Sequence, residues 1–323
     1  MKTKGFAFLI CLLAALGSLC LGAASLSPAQ LLDALISGPG STAGRIFWFV
    51  RLPRTAGCLL AGAALSVAGC VIQNVLANPL ASPNILGVNA GAGLAVTVCC
   101  AFGALSGWVI AGAAFAGAFA AVGLVSLAAR AVGASRSTVI LAGVAVNAFL
   151  GAASDAVTNL IPDAAVLAGD FRVGGFGSIV PARLLPAGVL ILCALAAVFL
   201  LHNELEVLSL GDDTARSLGL NTAGMRTAFL ALAALLCGGA VSFAGLLGFV
   251  GLIVPHAVRR LIGSECSRLL PLCALWGGAF VTVCDLISRL AFRPQELPVG
   301  ILLSALGGPF FLYILGKRGK HHG

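Results

Sequence analysis

The chain has 323 residues, of which 60% are hydrophobic and 9% charged, with 42 glycines and a formal net charge of +8. So apolar a composition excludes a soluble globular domain, and the basic excess forms no cluster with interleaved aromatics, which excludes a nucleic-acid binder. In a chain of this kind the placement of Lys and Arg says more than their sum.

Residues 5–32 predict one spanning helix and then a piece lying on the outer membrane surface. Lys2 and Lys4 precede the apolar run as in a signal peptide, but the run is as long as a true span and more spans follow, which favours a retained first helix. Ser27-Pro28-Ala29-Gln30 reads as a helix start: Ser27 as N-cap, Pro28 at the first helical position, Gln30 set for a capping box. Gly38 is its stop.

Arg51-Leu52-Pro53-Arg54 stands at the mouth of a long neutral stretch and presents two guanidinium forks at an interface. Such forks suit either anchoring at lipid headgroups or docking of an acidic partner. Residues 55–129 carry no charge at all, and a span takes ~20 residues, so about three spans fit. Within it, 73–93 is broken by two prolines and several Asn and Gly. Irregular backbone at membrane depth is tolerated only inside protein or beside water. Asn78, Pro79, Asn84, Gly87 and Asn89 are therefore pathway or gate candidates.

Further spans are predicted at 137–160, 184–203, 269–290 and 297–316. Residues 227–258 are long for one span and read as a span plus a short, Gly-broken one. The sum is about ten helices. An even number places both termini on one side. With the termini inside, the inner segments hold twelve basic residues, including every Lys, and the outer ones hold Arg45, Arg51, Arg54, Arg172, Arg183, Arg289 and Arg293. The positive-inside bias thus supports cytoplasmic termini.

The longest inner segment is about 203–222. Within it 208–219 reads as one short helix, with Asp212 and Asp213 at its start, Arg216 near its end and Gly219 as its stop. Leu210, Ala215 and Leu218 form an apolar edge, to pack on the protein's own inner surface or to insert into a cytoplasmic partner. In 245–263 the run is closed by His256, Arg259 and Arg260; local packing is the favoured role of His256 over proton transfer. Asp155 and Asp285 are the acids near span interiors, and Asp285 is placed to pair with Arg289. The eleven cysteines show no C-x-x-C pair and no zinc spacing, so they read as packing residues and no metal site is expected. No phosphate loop or catalytic cluster occurs.

GAALSVAG (62–69) and GGAVSFAG (238–245) match at five of eight positions, with Pro79 and Pro255 equally far beyond. Two inverted five-helix halves are the implied arrangement, a transporter signature.

Four blocks, RLPRTAGCLLAGAALSVAGCVIQNVLANPLASPNILGVNAGAG (51–93), LGDDTARSLGLN (210–221), GFVGLIVPHAVRRLIG (248–263) and ELPVGILLSALGGPFFLYIL (296–315), together resemble the FecCD-type permeases. These are membrane subunits of ABC importers for iron–siderophore complexes, haem and cobalamin. The resemblance runs from Arg51 to the C-terminus. It implies an all-α integral membrane protein, a single permease domain over 1–323 with ten helices, working as a dimer around a central pathway in the bacterial inner membrane, a homodimer being favoured and a pair of non-identical permeases left open. It also implies two cytoplasmic ATPase subunits that use the ATP, an extracytoplasmic substrate-binding protein, and no cofactor on this chain.

Carried over by position, Arg51, Arg54 and Arg289 would receive glutamates from the binding protein. Leu210, Gly211, Asp212, Ala215, Arg216, Leu218 and Gly219 would couple to the ATPase. One departure is Arg172 in FRVGGFGS (171–178), out of the family pattern and expected near the outer mouth, where it would meet acidic groups on cargo or binding protein. The expected function is an ABC-importer permease for a metal chelate, iron–siderophore first, with haem and cobalamin as alternatives. The rival is a secondary transporter driven by an ion gradient, which calls for midplane acids that this chain has few of. Charge reversal at Arg51 and Arg54 together is expected to weaken docking without unfolding the chain.

Overall fold

The computed structural model describes residues 2–22, 26–132, 135–291 and 295–319. Two members of the topology count, Arg293 and Lys320, and part of the weighed signal segment lie outside them. Every element among the described residues is helical. Six helical runs are long and apolar enough to span a bilayer, which makes this a multi-pass membrane protein: 42–75, 107–131, 136–160, 181–200, 222–244 and 266–290. Shorter apolar helices lie at Gly5–Cys20, Val88–Ala101 and Val299–Ile314.

Chain order explains the arrangement. Helix α1 (Lys2–Cys20) leads to α2 (Pro28–Ile36), a short helix with Leu32, Leu35 and Ile36 exposed. The expected capping box is present: Ser27 Oγ accepts from the Gln30 N–H, and Gln30 Oε1 accepts from the Ser27 N–H at 2.8 Å. Helix α3 (Thr42–Ile46) then passes through a π-helical turn, Phe47–Arg51, directly into α4 (Leu52–Val75). The charged Arg51 and Arg54 therefore lie within a continuous helical run, not at its mouth. Pro53 does not break this run: it follows directly on the π-helical turn, in which the Leu52 N–H donates to Phe47 O five residues back.

Helix α4 is the axis of the bundle and is buried along most of its length. It packs on the helices α13 (Thr222–Ala244), α14 (Val250–Ile262) and α15 (Cys266–Leu290). Close approach explains two of its glycines. A Cβ at Gly62 would stand 2.2 Å from the Gly277 carbonyl oxygen, and one at Gly69 would stand 2.0 Å from that of Gly251. Small residues here let backbones touch, which is how helices associate in lipid. Around this core stand α5 (Val88–Ala101), α6 (Gly107–Ala131), α7 (Arg136–Leu160), α10 (Pro181–Leu200) and α16 (Val299–Gly319).

The short helices α8 (Pro162–Leu167) and α9 (Gly169–Val173) lie between α7 and α10. The 174–175 turn is tied to the end of α13 by Gly175 N–H to Ala244 O at 2.8 Å. The inner segment departs from its expected single helix. It forms α11 (His202–Ser209) and α12 (Asp212–Ser217), split at Gly211, whose φ of +118° only glycine adopts readily. Leu208 belongs to α11 and is buried.

Candidate functional site

Two faces of the bundle concentrate the polar chemistry. The first gathers the ends of α1, α4 and α15 and the 295–298 segment. Asp285, fully buried on α15, is clamped by two guanidinia: Arg54 Nη2 to Oδ1 and Arg289 Nε to Oδ2, each at 2.9 Å. Arg54 Nη1 also donates to Glu296 Oε2 at 2.7 Å. Arg289 Nη2 donates to Ser18 Oγ, which shares a hydrogen bond with Thr55 Oγ1. Arg51 Nη1 donates to the carbonyls of Leu19 and Cys20 at 2.7 Å, capping the last turn of α1 where the helix dipole favours a cation.

The forks expected to face outward at this end are therefore enclosed. Arg51, Arg54 and Arg289 are only 3, 7 and 3% exposed. The reason is compensation: Asp285 meets Arg54 and Arg289, Glu296 meets Arg54, and the carbonyls that end α1 accept from Arg51, so each buried guanidinium is hydrogen-bonded. The structure does bring the three predicted docking residues into one cluster. Glu296 was missed as a partner; its signal was its place at the head of the ELPVG block as the last acid of the chain. It remains partly exposed and, with Arg54, Asp170, Phe176, Ser178 and Pro298, lines a cleft of about 260 Å³.

Arg172 sits at this same end on α9. Its Nη2 donates to Ser154 Oγ at 2.6 Å and lies 3.5 Å from Thr97 Oγ1. Among the described residues no carboxylate pairs with it. Asp155, the neighbour of Ser154, is exposed on α7.

At the opposite face, α4 ends in the broken stretch. Here the helix continues through Gln73 and Asn74, and the irregular part is 76–87. Asn78 shapes the turn, its Oδ1 accepting the Leu80 N–H, with Pro79 beside it. Gly87 has φ +82° and starts α5. Asn84 and Asn89 line a narrow cleft with Pro83, Phe249 and Gly251. The six pathway candidates are thus not one cluster: Asn78, Pro79 and Gly87 form the bend, Asn84 and Asn89 line the cleft, and Arg172 stands at the other end. Gln73 was not singled out in the sequence. It is buried, donates to the Gly251 carbonyl and accepts from Arg259, bridging the ends of α4 and α14. His256 packs edge-on against Phe310.

The same face carries α12. Ala215 is fully buried against the bundle, whereas Leu210 and Leu218 are 60 and 63% exposed. The whole segment is held by charge: Arg226 Nη2 contacts Asp212 Oδ1 at 2.7 Å, with Arg136 at 3.5 Å. Burial alone would raise the Asp212 carboxyl; the hydrogen bonds and charge of Arg226, with Arg136 and Arg216 behind, hold it below its usual range. Arg216 Nε reaches Thr222 Oγ1, and Gly219, at φ +84°, ends the element. Packing on the protein's own surface thus accounts for Ala215 and leaves the two leucines uncovered.

The family model described as the FecCD transport family matches residues 9–317. The chain is 35% identical to the hemin transport system permease protein HmuU of Yersinia pestis, over 97% of this chain and 95% of that one. It is 36% identical to the Fe(3+)-citrate import system permease protein YfmD of Bacillus subtilis, over 94% and 91%. A solved ABC transporter of the metal-chelate type, in an inward-facing conformation, superposes with a TM-score of 0.87 at 28% identity, covering 98% of this chain and 99% of that one.

Proposed function

This chain belongs to the FecCD transport family, and on that premise we propose that it is the membrane-spanning permease subunit of an ABC importer that moves a metal chelate inward. The single observation that carries the reading is the near-complete superposition on a metal-chelate ABC transporter. Ferric siderophore is the first choice of cargo, since iron uptake recurs in the names of the similar permeases; haem and cobalamin are the alternatives. The six long apolar runs, the three shorter ones and α14 make about ten crossings, in two inverted halves, with both termini in the cytoplasm of a bacterium and the protein in its inner membrane.

The subunit pairs with a second permease, a copy of itself. Two ATPase subunits engage the α12 face, where Leu210 and Leu218 offer apolar side chains on an element pinned by Asp212. Closing of the ATPases pushes α12, and Ala215 and Gly211 transmit and permit the tilt. This chain itself hydrolyses nothing and binds no cofactor. A substrate-binding protein docks at the opposite face. Arg54, whose partner Glu296 borders the cleft, is the arginine an incoming glutamate reaches first; Arg51 and Arg289 contribute positive charge behind it. Arg172 meets acidic groups of the cargo or the binding protein, and the bend at Asn78, Pro79, Asn84, Gly87 and Asn89 flanks the pathway.

Reconstitution of the purified chain with its ATPase and binding protein in vesicles tests the reading. Uptake of ferric siderophore that requires internal ATP is expected. Uptake driven by a proton or sodium gradient with no ATPase present would overturn it in favour of a secondary transporter.

A further inference from the structure

We propose that the groove between α6 and α13, on the side that carries α12, holds one anionic phospholipid, with its phosphodiester on Arg130 and an acyl chain along Phe119, Val122, Gly123 and Leu127. The groove has a volume of about 240 Å³, and its walls are apolar except at one end, where Ser126, Thr227 and Arg130 stand. Arg130 is exposed, and its Nη2 donates to Thr227 Oγ1 at 2.6 Å. Among the described residues no carboxylate lies within ion-pair distance of it. The adjacent Arg226 instead pairs with Asp212, a carboxylate that Arg136 shares. One uncompensated guanidinium therefore closes an apolar slot on a membrane helix, which is the charge pattern a phospholipid complements: anionic head, aliphatic tail.

Depth agrees. Twenty-two residues of α6 separate Trp108 from Arg130, about 33 Å at 1.5 Å per residue, close to the ~30 Å of a bilayer's hydrocarbon core. Trp108 lines a second groove closed by Arg183 at the far end of α6. Trp is enriched at the membrane–water boundary, so Arg130 falls at headgroup level in the opposite leaflet. The slot is open rather than loosely packed: a Cβ added at Gly123 would meet nothing within 4 Å.

Native mass spectrometry of the full chain in detergent, titrated with phosphatidylglycerol, phosphatidylcholine or inorganic phosphate, tests the site. Phosphatidylglycerol should bind one per chain, and Arg130→Gln should weaken it about fivefold, the weight of one basic side chain at an anionic membrane surface, with little change for phosphatidylcholine. Gly123→Leu, which fills the slot without touching the arginine, should lower both lipids while the thermal midpoint stays near that of the native chain. Equal binding of the two lipids to the native chain and to Arg130→Gln would mean annular lipid only. Displacement of phosphatidylglycerol by inorganic phosphate would mean a free-anion site. Loss of a dimer in Gly123→Leu with lipid binding intact would mean that a second copy covers the groove. Each of these three results overturns the proposal.

Discussion

The arginine cluster around Asp285 and the α12 segment are built from similar residues and treat them oppositely. At the first, three arginines are drawn inside and compensated by Asp285, Glu296 and the end of α1. At the second, Arg226 and Asp212 are used as a pin, and two leucines are left facing out. Buried ion pairs cost desolvation and become strongly destabilising when one partner is removed. Exposed apolar side chains on a pinned element add little to the fold and are available to a partner. One end of the molecule is thus closed by charge, and the other is opened by it.

The largest effect should come from the closed end. Asp285→Asn removes the shared counter-ion of Arg54 and Arg289, and loss of one buried partner costs roughly 3–5 kcal/mol. A markedly lowered melting midpoint of the purified chain in detergent is expected; a midpoint unchanged from native would show that the cluster is hydrated after all. By the same logic, charge reversal at Arg51 and Arg54 should lower the midpoint as well as docking, contrary to the expectation from sequence.

Leu218→Asp probes the open end. Because the side chain is exposed, stability should shift by no more than about 0.5 kcal/mol, while ATP-driven uptake falls. Full transport in this variant would remove α12 from the coupling interface. A smaller effect concerns the pin itself. The Asp212 carboxyl is held below its ordinary value, which is about 3.9. Its contribution is therefore complete above that pH and is lost only as pH falls through the lower folded value. Amide protection across 210–219, taken relative to the intrinsic exchange rate at each pH, should stay high through neutral and mildly acidic pH and fall only in strong acid. A fall near pH 6 would mean that another group holds the segment.

Much of this was legible along the chain. The spans at 136–160, 181–200 and 266–290 lie within a few residues of the stretches that the sequence reads as 137–160, 184–203 and 269–290, because lipid obliges each crossing to satisfy its own backbone; inside 55–129 no boundary is legible. The start of α2 was legible because a capping box lies within four consecutive residues. The site was read less well. Arg51 and Arg54 were placed at an exposed mouth because a charge in an apolar chain reads as a boundary; nothing local shows that its partner is 242 residues away in Glu296. The inner segment reads as one helix only if Gly211 is tolerated inside it; that glycine is the local signal of the split, and its positive φ is what the structure adds.

Composition and local pattern, then, determined by themselves that the chain threads a membrane as helices, roughly where several of them lie, and which family blocks it carries. Those depend on hydrophobicity and hydrogen bonds closed within a few residues. The tertiary structure alone decided which arginines are enclosed, which leucines are left bare, and that Gln73 bridges α4 to α14. Those depend on which distant side chains meet in a medium where an unpaired charge is too costly to leave.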